Sequence, residues 1–321
     1  MAATSGALDA VSTKTGLALE VFASTIARFA EVNVFKETVT VQTISGGYSA
    51  RFDIRGGGTS ANIRQHALGS TPTNTGLNLN KMNIEVERTF YDRKFIDNWE
   101  KKAVSFSLLE VAVEENADSM AEYVDERIVE QLDASMLKAQ VLAEDGSGRV
   151  TQDTASVVDV STAYAAASTT EEVGDVLLEA AFEAGAALNR KKQKGKQRYL
   201  ALTPELYTKL VLSKKALDGD YNDGSNGSIK MGNVLDVNNM KIITSNAIVT
   251  TGLDSQATGL ALDGLTLAGW VFTEDVIGLT EFGGIETQYW EEKKDKGWYV
   301  DIDYAFGLGT LNASSLVAIG Y

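Results

Sequence analysis

Apolar positions recur at helical spacing in three stretches of the chain and alternate with polar ones through most of the rest. In residues 16–31, Leu19, Phe22, Ile26 and Phe29 predict a helix of about four turns with one narrow buried stripe. The run "ETVTVQTI" then alternates, with Val39 and Val41 on one face and threonines on the other, as a half-buried strand does. A second alternating run, "KMNIEVERTFYDRKF", puts Met82, Ile84 and Val86 on one side. Between them lies "ISGGYSARFDIRGGG" and a Gly/Ser/Thr/Asn-rich stretch, so the two runs read as an extended hairpin with a long polar tip.

From 104 to 144 the period is helical again, with a seam of Leu109, Val113, Ala117, Met120, Val124, Ile128 and Leu132. A helix of that length is about 60 Å long and must act as a strut. Residues 171–189 predict another amphipathic helix through Val173, Val176, Leu177, Ala180, Ala184 and Leu188. A buried strand "RYLALT", a helix opening at Pro204 and a strand in "MKIITSNAIV" follow. The last third is strand-rich: "TLAGWVF", "GIETQYWEE", "GWYVDIDYAFGLGTL" and "SSLVAIGY". No solenoid repeat is apparent, and the class is α+β.

Charge and composition narrow the functions. Asp plus Glu number 44 against 29 Lys plus Arg, a net of −15, which repels nucleic acid and argues against a direct reader of it. Cysteine is absent, which removes disulfides, thiolate metal sites and cysteine nucleophiles. His66 is the single histidine, so a two-histidine zinc motif is impossible, and it has no recognisable triad partners. Asp218, Asp220 and Asn222 resemble the start of a calcium loop, yet Asp223 and Ile229 stand where Gly and Glu are needed. Gly56, Gly57 and Gly58 lack the Gly-Lys-Ser/Thr of a phosphate-binding loop. "RKKQKGK" (190–196) suits a solvated helix end, with Gly195 near the C-cap. No catalytic, cofactor or metal site is expected, and the chain is not read as an enzyme. No signal-peptide pattern opens it and no apolar run nears the ~18 residues of a membrane span. The expectation is a soluble chain with no membrane partner.

The order of these pieces resembles the major capsid proteins of tailed bacteriophages, with the short-tailed, T-seven-like type most similar. The residues that carry the resemblance are "LALEVFASTIARFAEVNVF", "ISGGYSARFDI", "GSIKMGNVLDVNNMKIITSNAIV" and the terminal "DYAFGLGTLNASSLVAIGY". The resemblance implies the Hong-Kong-97 type of fold. Its N-terminal arm would be residues 1–45 and its extended loop 46–93. A peripheral domain with the long spine helix would occupy 94–159, and an axial domain 160–275. The hairpin 276–307 would return to the peripheral domain, and a final strand, 308–321, to the axial one.

Such proteins form hexamers and pentamers of an icosahedral shell around double-stranded DNA, and assemble with a scaffolding protein and a portal protein. The expected location is the virion, and the host cytoplasm during assembly. On this reading Arg51, Phe52, Asp53, Ile54, Arg55, Arg64 and Arg88 are the inter-subunit assembly residues. Glu114, Glu115, Asp118, Glu122 and Asp125 would form an inner acidic face near packaged DNA, which is a partner by non-specific proximity only. Two alternatives stay open: an encapsulin-like nanocompartment shell, and a non-shell phage adaptor or binding module.

Overall fold

The first helix, α1 (22–32), buries Thr25 and Phe29 and leaves Phe22 and Ile26 on the surface. The expected stripe is therefore rotated. It is Thr25, Phe29 and Val32 that turn inward, because Phe29 stacks edge-on against Tyr304. The computed structural model describes residues 22–55, 79–103, 108–136, 155–191, 193, 196–213, 227–228, 233–234, 236–248 and 265–321.

After α1 come strands β1 (Thr40–Ile44), β2 (Ser49–Arg55), β3 (Leu79–Glu85) and β4 (Arg88–Asp97). Helix α2 (Asn98–Ala103) and the long α3 (Leu108–Met136) follow, then β5 (Ser156–Asp159), α4 (Ser161–Ala166) and α5 (Thr170–Arg190). The chain continues through β6 (Arg198–Leu202), α6 (Pro204–Leu212) and the short strands β7 (Gly227–Ser228), β8 (Asn233–Val234) and β9 (Asp236–Val237). It closes with β10 (Met240–Thr244), β11 (Leu267–Thr273), β12 (Ile277–Glu292), β13 (Gly297–Thr310) and β14 (Leu316–Gly320).

Two sheets organise these strands. The first has the order β1-β12-β13-β4 and the second β5-β14-β11-β6-β10-β9. In the second, successive residues of β6, β11 and β14 serve two cores. Leu200, Leu202, Val271, Val317 and Ile319 pack on α5 and α6, while Tyr199, Ala201, Trp270, Phe272 and Ala318 face the core shared with α3. Both faces being covered explains the uninterrupted apolar run of β11. The two helices on this sheet start where the sequence says they should. Thr169 caps α5 in a reciprocal capping box with Glu172, and Thr203 caps α6 with Pro204 in its first turn.

The 29 residues of α3 make a rod of about 44 Å, and residues 104–107 and 137–144 of the expected helix lie outside the described residues. Its seam is as expected: Val113, Ala117, Met120, Val124, Ile128 and Leu132 are buried. In the long β12–β13 hairpin, Gly283 (φ +70°) and Gly284 (φ +86°) form an irregularity between Phe282 and Ile285 that only glycine accommodates without strain.

Strand pairing joins segments far apart in the chain. β5 pairs parallel with β14, so 156–159 belong to the six-stranded sheet. β4 pairs with β13 along its whole length, so 88–97 lie in the four-stranded sheet. The β12–β13 ladder runs to the Ile277–Thr310 pair. β1 pairs parallel with β12, so residues 40–44 are built into the four-stranded sheet.

The β2–β3 hairpin root rests on a glycine floor. Gly278 and Gly309 are paired across β12 and β13, and a Cβ at either would crowd Ile84. A Cβ at Gly307 would overlap the backbone oxygen of Glu85. Gly307→Ala is therefore expected to push β3 off β13 and cost about 1–3 kcal/mol as over-packing. Denaturant unfolding of the free subunit checks this, and an unchanged midpoint would show that the hairpin root yields freely.

Candidate functional site

The hairpin root separates its faces as alternation requires. Arg51 and Asp53 are exposed and lie 3.6 Å apart, while Phe52 and Ile54 are buried. Phe52 packs with Ala50, Ile84 and Leu311, and Ile54 with Met82. The expectation that Phe52 and Ile54 meet a neighbouring subunit is corrected here. Their own chain covers them, because the glycine floor lets β2 and β3 approach the sheet closely. Arg88 is exposed at the start of β4. Arg55 ends β2, with its side chain outside the described residues, as is Arg64 altogether.

The acidic row of α3 also divides. Glu114, Glu115 and Glu122 are exposed, with Glu115 3.7 Å from Lys94. Asp118 receives Arg28 of α1 through two bonds, of 2.6 and 2.9 Å. Asp125 is not on the acidic face at all: it is 5 % exposed. Its carboxylate accepts hydrogen bonds from Asn33 Nδ2 (2.9 Å) and from the backbone N–H of Val34 (3.1 Å) and Phe35 (3.0 Å). Burial pushes this carboxyl up to about 6, against the downward pull of the two amides. Asp125 is thus the anchor that fixes the turn after α1 onto α3.

Two further polar clusters were not singled out from the sequence. Glu281 accepts from Lys36 Nζ (2.8 Å), Thr43 Oγ1 (2.7 Å) and Tyr304 Oη (2.7 Å), and ties the N-terminal segment to β12 and β13. Burial raises its carboxyl, and these three donors more than offset that, leaving it below its ordinary value. Asp275, between β11 and β12, accepts from Lys196, Thr273 and Asn312. Its carboxyl is likewise raised by burial and brought below its ordinary value by those partners. Lys196 comes from the basic run expected to be a plain solvated helix end.

Nothing in these clusters resembles a reacting centre. Among the described residues no group of three or more His, Cys, Asp and Glu side chains could hold a metal ion, and no helix is long and apolar enough to cross a membrane. His66, the glycines 56–58, Gly195 and the acidic loop at 218–223 lie outside the described residues.

Neither a protein-family model nor a curated protein matches the chain. Solved structures do. The capsid of cyanophage P-SCSP1u is 19 % identical with a TM-score of 0.68, over 90 % of this chain and 88 % of that one. The mature capsid of bacteriophage PhiM1 is 15 % identical with a TM-score of 0.63, over 90 % and 86 %. The virus-like particle from Pyrococcus furiosus is 10 % identical with a TM-score of 0.54, over 92 % and 96 %. The chain has the Hong-Kong-97-type capsid fold. The long helix, the hairpin root and the β12–β13 hairpin are elements that the sequence leads one to expect.

The buried acids of this fold set its response to pH. Asp133, near the end of α3, is pushed up to about 7 by burial and then by Glu130. In the unfolded chain both Asp125 and Asp133 titrate near 3.8, so the folded subunit binds their protons first as pH falls. Stability from these two is least above pH 7 and grows as pH drops through about 7 and about 6. Glu281 and Asp275 act oppositely, since their stabilisation holds above 4.5 and 3.8 and is lost only at lower pH. The melting temperature of the free subunit is expected to rise from pH 8 to pH 5, and Asp133→Asn to flatten the upper half of that rise. A melting temperature that falls steadily from pH 8 to pH 5 would contradict this assignment.

Proposed function

We propose that the chain is a major capsid protein, whose copies assemble as hexamers and pentamers into an icosahedral shell enclosing double-stranded DNA. The observation that carries the reading is the likeness over nine-tenths of the chain to the capsid of a cyanophage. The working form would be the virion, reached in the host cytoplasm with the help of a scaffolding protein and a portal protein. The short-tailed type is favoured by the motifs the sequence shares with that group. Electron microscopy of the purified chain, alone and with its scaffold, tests for closed shells. The likeness to the virus-like particle of Pyrococcus furiosus supports a nanocompartment as the second reading. Nuclease-protected DNA inside particles favours the first, and DNA-free particles with protein cargo the second.

The extended hairpin is the assembly element in this reading, with Arg51 and Asp53 on its exposed side. Deleting Thr59–Leu77 should leave a folded subunit, since Phe52 and Ile84 stay packed at the root, while closed shells are lost. Normal particles from that deletion would remove the hairpin from assembly.

The exposed carboxylates Glu114, Glu115 and Glu122 would line the shell interior and keep DNA phosphates from sticking. At physiological salt the effect reaches only about 8 Å, so it concerns the outermost DNA layer. Reversing all three to Lys is expected to leave empty-shell assembly intact while those shells retain several-fold more DNA at low salt. Unchanged DNA retention would reduce the row to a solvating surface.

A further inference from the structure

Strand β4 is an edge with features that edges of free-standing proteins avoid. One side pairs with β13 along all 10 residues, and the other has no strand partner among the described residues. It carries no proline and no bulge, and its charges, Asp92, Arg93 and Lys94, restrict pairing to a strand whose charge pattern complements them. Both faces beside it are apolar and partly open. On the face away from α3, Tyr91 is 68 % and Phe95 44 % exposed. On the face toward α3, a groove of about 350 Å³ runs under the strand, lined by Phe90, Asp92, Ser119, Met120 and Tyr123.

The edge is complementary to itself. Set antiparallel to a copy about Arg93, it places Tyr91 opposite Phe95 of the second copy, Asp92 opposite Lys94, and Phe90 opposite Ile96. All of these pairs keep like faces together, as an antiparallel ladder demands. A slip of two residues instead puts Phe90 opposite Lys94 and Asp92 opposite itself. The two Arg93 side chains that meet at the centre are each neutralised. Arg93 bonds Asp301 Oδ2 at 2.5 Å and lies over Trp290, 5.1 Å from its ring centre. Asp301 is only 4 % exposed, and its Oδ1 has no hydrogen-bond partner among the described residues.

We propose that β4 is an isologous interface, at which a second copy of the chain adds its own β4 antiparallel and joins two four-stranded sheets into one. The inference rests on the shell reading only for bringing copies together. The chain has no cysteine, so introduced thiols report cleanly. In the double variant Y91C/F95C, two residues four apart on one strand are about 13 Å from each other, too far for an internal disulfide. Across the interface each thiol faces the other kind, about 4.5–5.5 Å away between Cα atoms, within disulfide range. Oxidation of particles where they form, and of concentrated free protein where they do not, is expected to give a reducible covalent dimer. Y91C and F95C alone should stay monomeric.

A double variant that stays monomeric in both samples overturns the proposal. So do single variants that crosslink as well as the double, which would mean another register. A dimer between Y91C and R51C chains in place of the expected one would give the edge to a neighbour's hairpin and also overturn it. Microscopy of the same samples decides the shell reading separately, since shells without the dimer leave that reading standing and remove this one.

Discussion

Helix α3 buries Met120, Val124, Ile128 and Leu132 in one core with Tyr304 and Phe306 of the four-stranded sheet and Trp270 and Phe272 of the six-stranded sheet. Each sheet has a face that must be removed from water, and this single seam serves both. A fully buried Leu, Ile or Met contributes about 1.5–3 kcal/mol of apolar transfer, so the row outweighs any one hydrogen bond near it. The sharing also fixes geometry. The sheets are held in one arrangement because the same side chains cannot fit a second one at interior packing density.

The polar anchors work differently. Asp125, Glu281 and Asp275 are carboxylates with three donors each, placed where a segment distant in sequence must meet the frame. Burying a charge costs several kcal/mol, and a pair or cluster recovers it only when the geometry is right. Their net worth as stability is therefore small, but any other placement leaves a carboxylate without partners. Asp125 fixes residues 33–35 on α3, and Glu281 fixes Lys36 beside Tyr304. Parallel pairing of β1 with β12 then follows from a chain that is already positioned on both sides of it.

Much of this was legible because it rests on periodicity. The seam of α3, the span of α5 and the start of α6 follow from apolar spacing and capping residues that act locally. Asp125 lies among acidic neighbours that face solvent, and only the row at spacing four distinguishes it. That row, Ala117, Ala121, Asp125 and Val129, is buried throughout and places it inside. Phe52 and Ile54 depart from expectation for a related reason. A two-stranded ribbon is marginal alone, but the partner was already in the chain, at the alternating Gly307 and Gly309 of "AFGLGTL". Strand partners such as β5 with β14 join residues over a hundred and fifty positions apart, and no local pattern specifies them.

The two sides of the four-stranded sheet differ in charge as well as in cover. The α3 side presents Glu110, Glu114, Glu115, Glu122, Glu126 and Glu130 to solvent, so two copies meeting there would bring like charges together. The opposite side mixes signs, with Arg51 beside Asp53 on the hairpin and Arg93 against Asp301 among Tyr91, Trp290 and Tyr299. A chain of net charge −15 repels its copies at a distance, and salt screens that repulsion within about 8 Å. Contact between copies is then possible only where short-range pairing of opposite charges and apolar cover exceeds what repulsion remains. That condition disfavours the acidic helix face, and the proposed β4 pairing meets it by setting Asp92 against Lys94 and Tyr91 against Phe95 of the second copy.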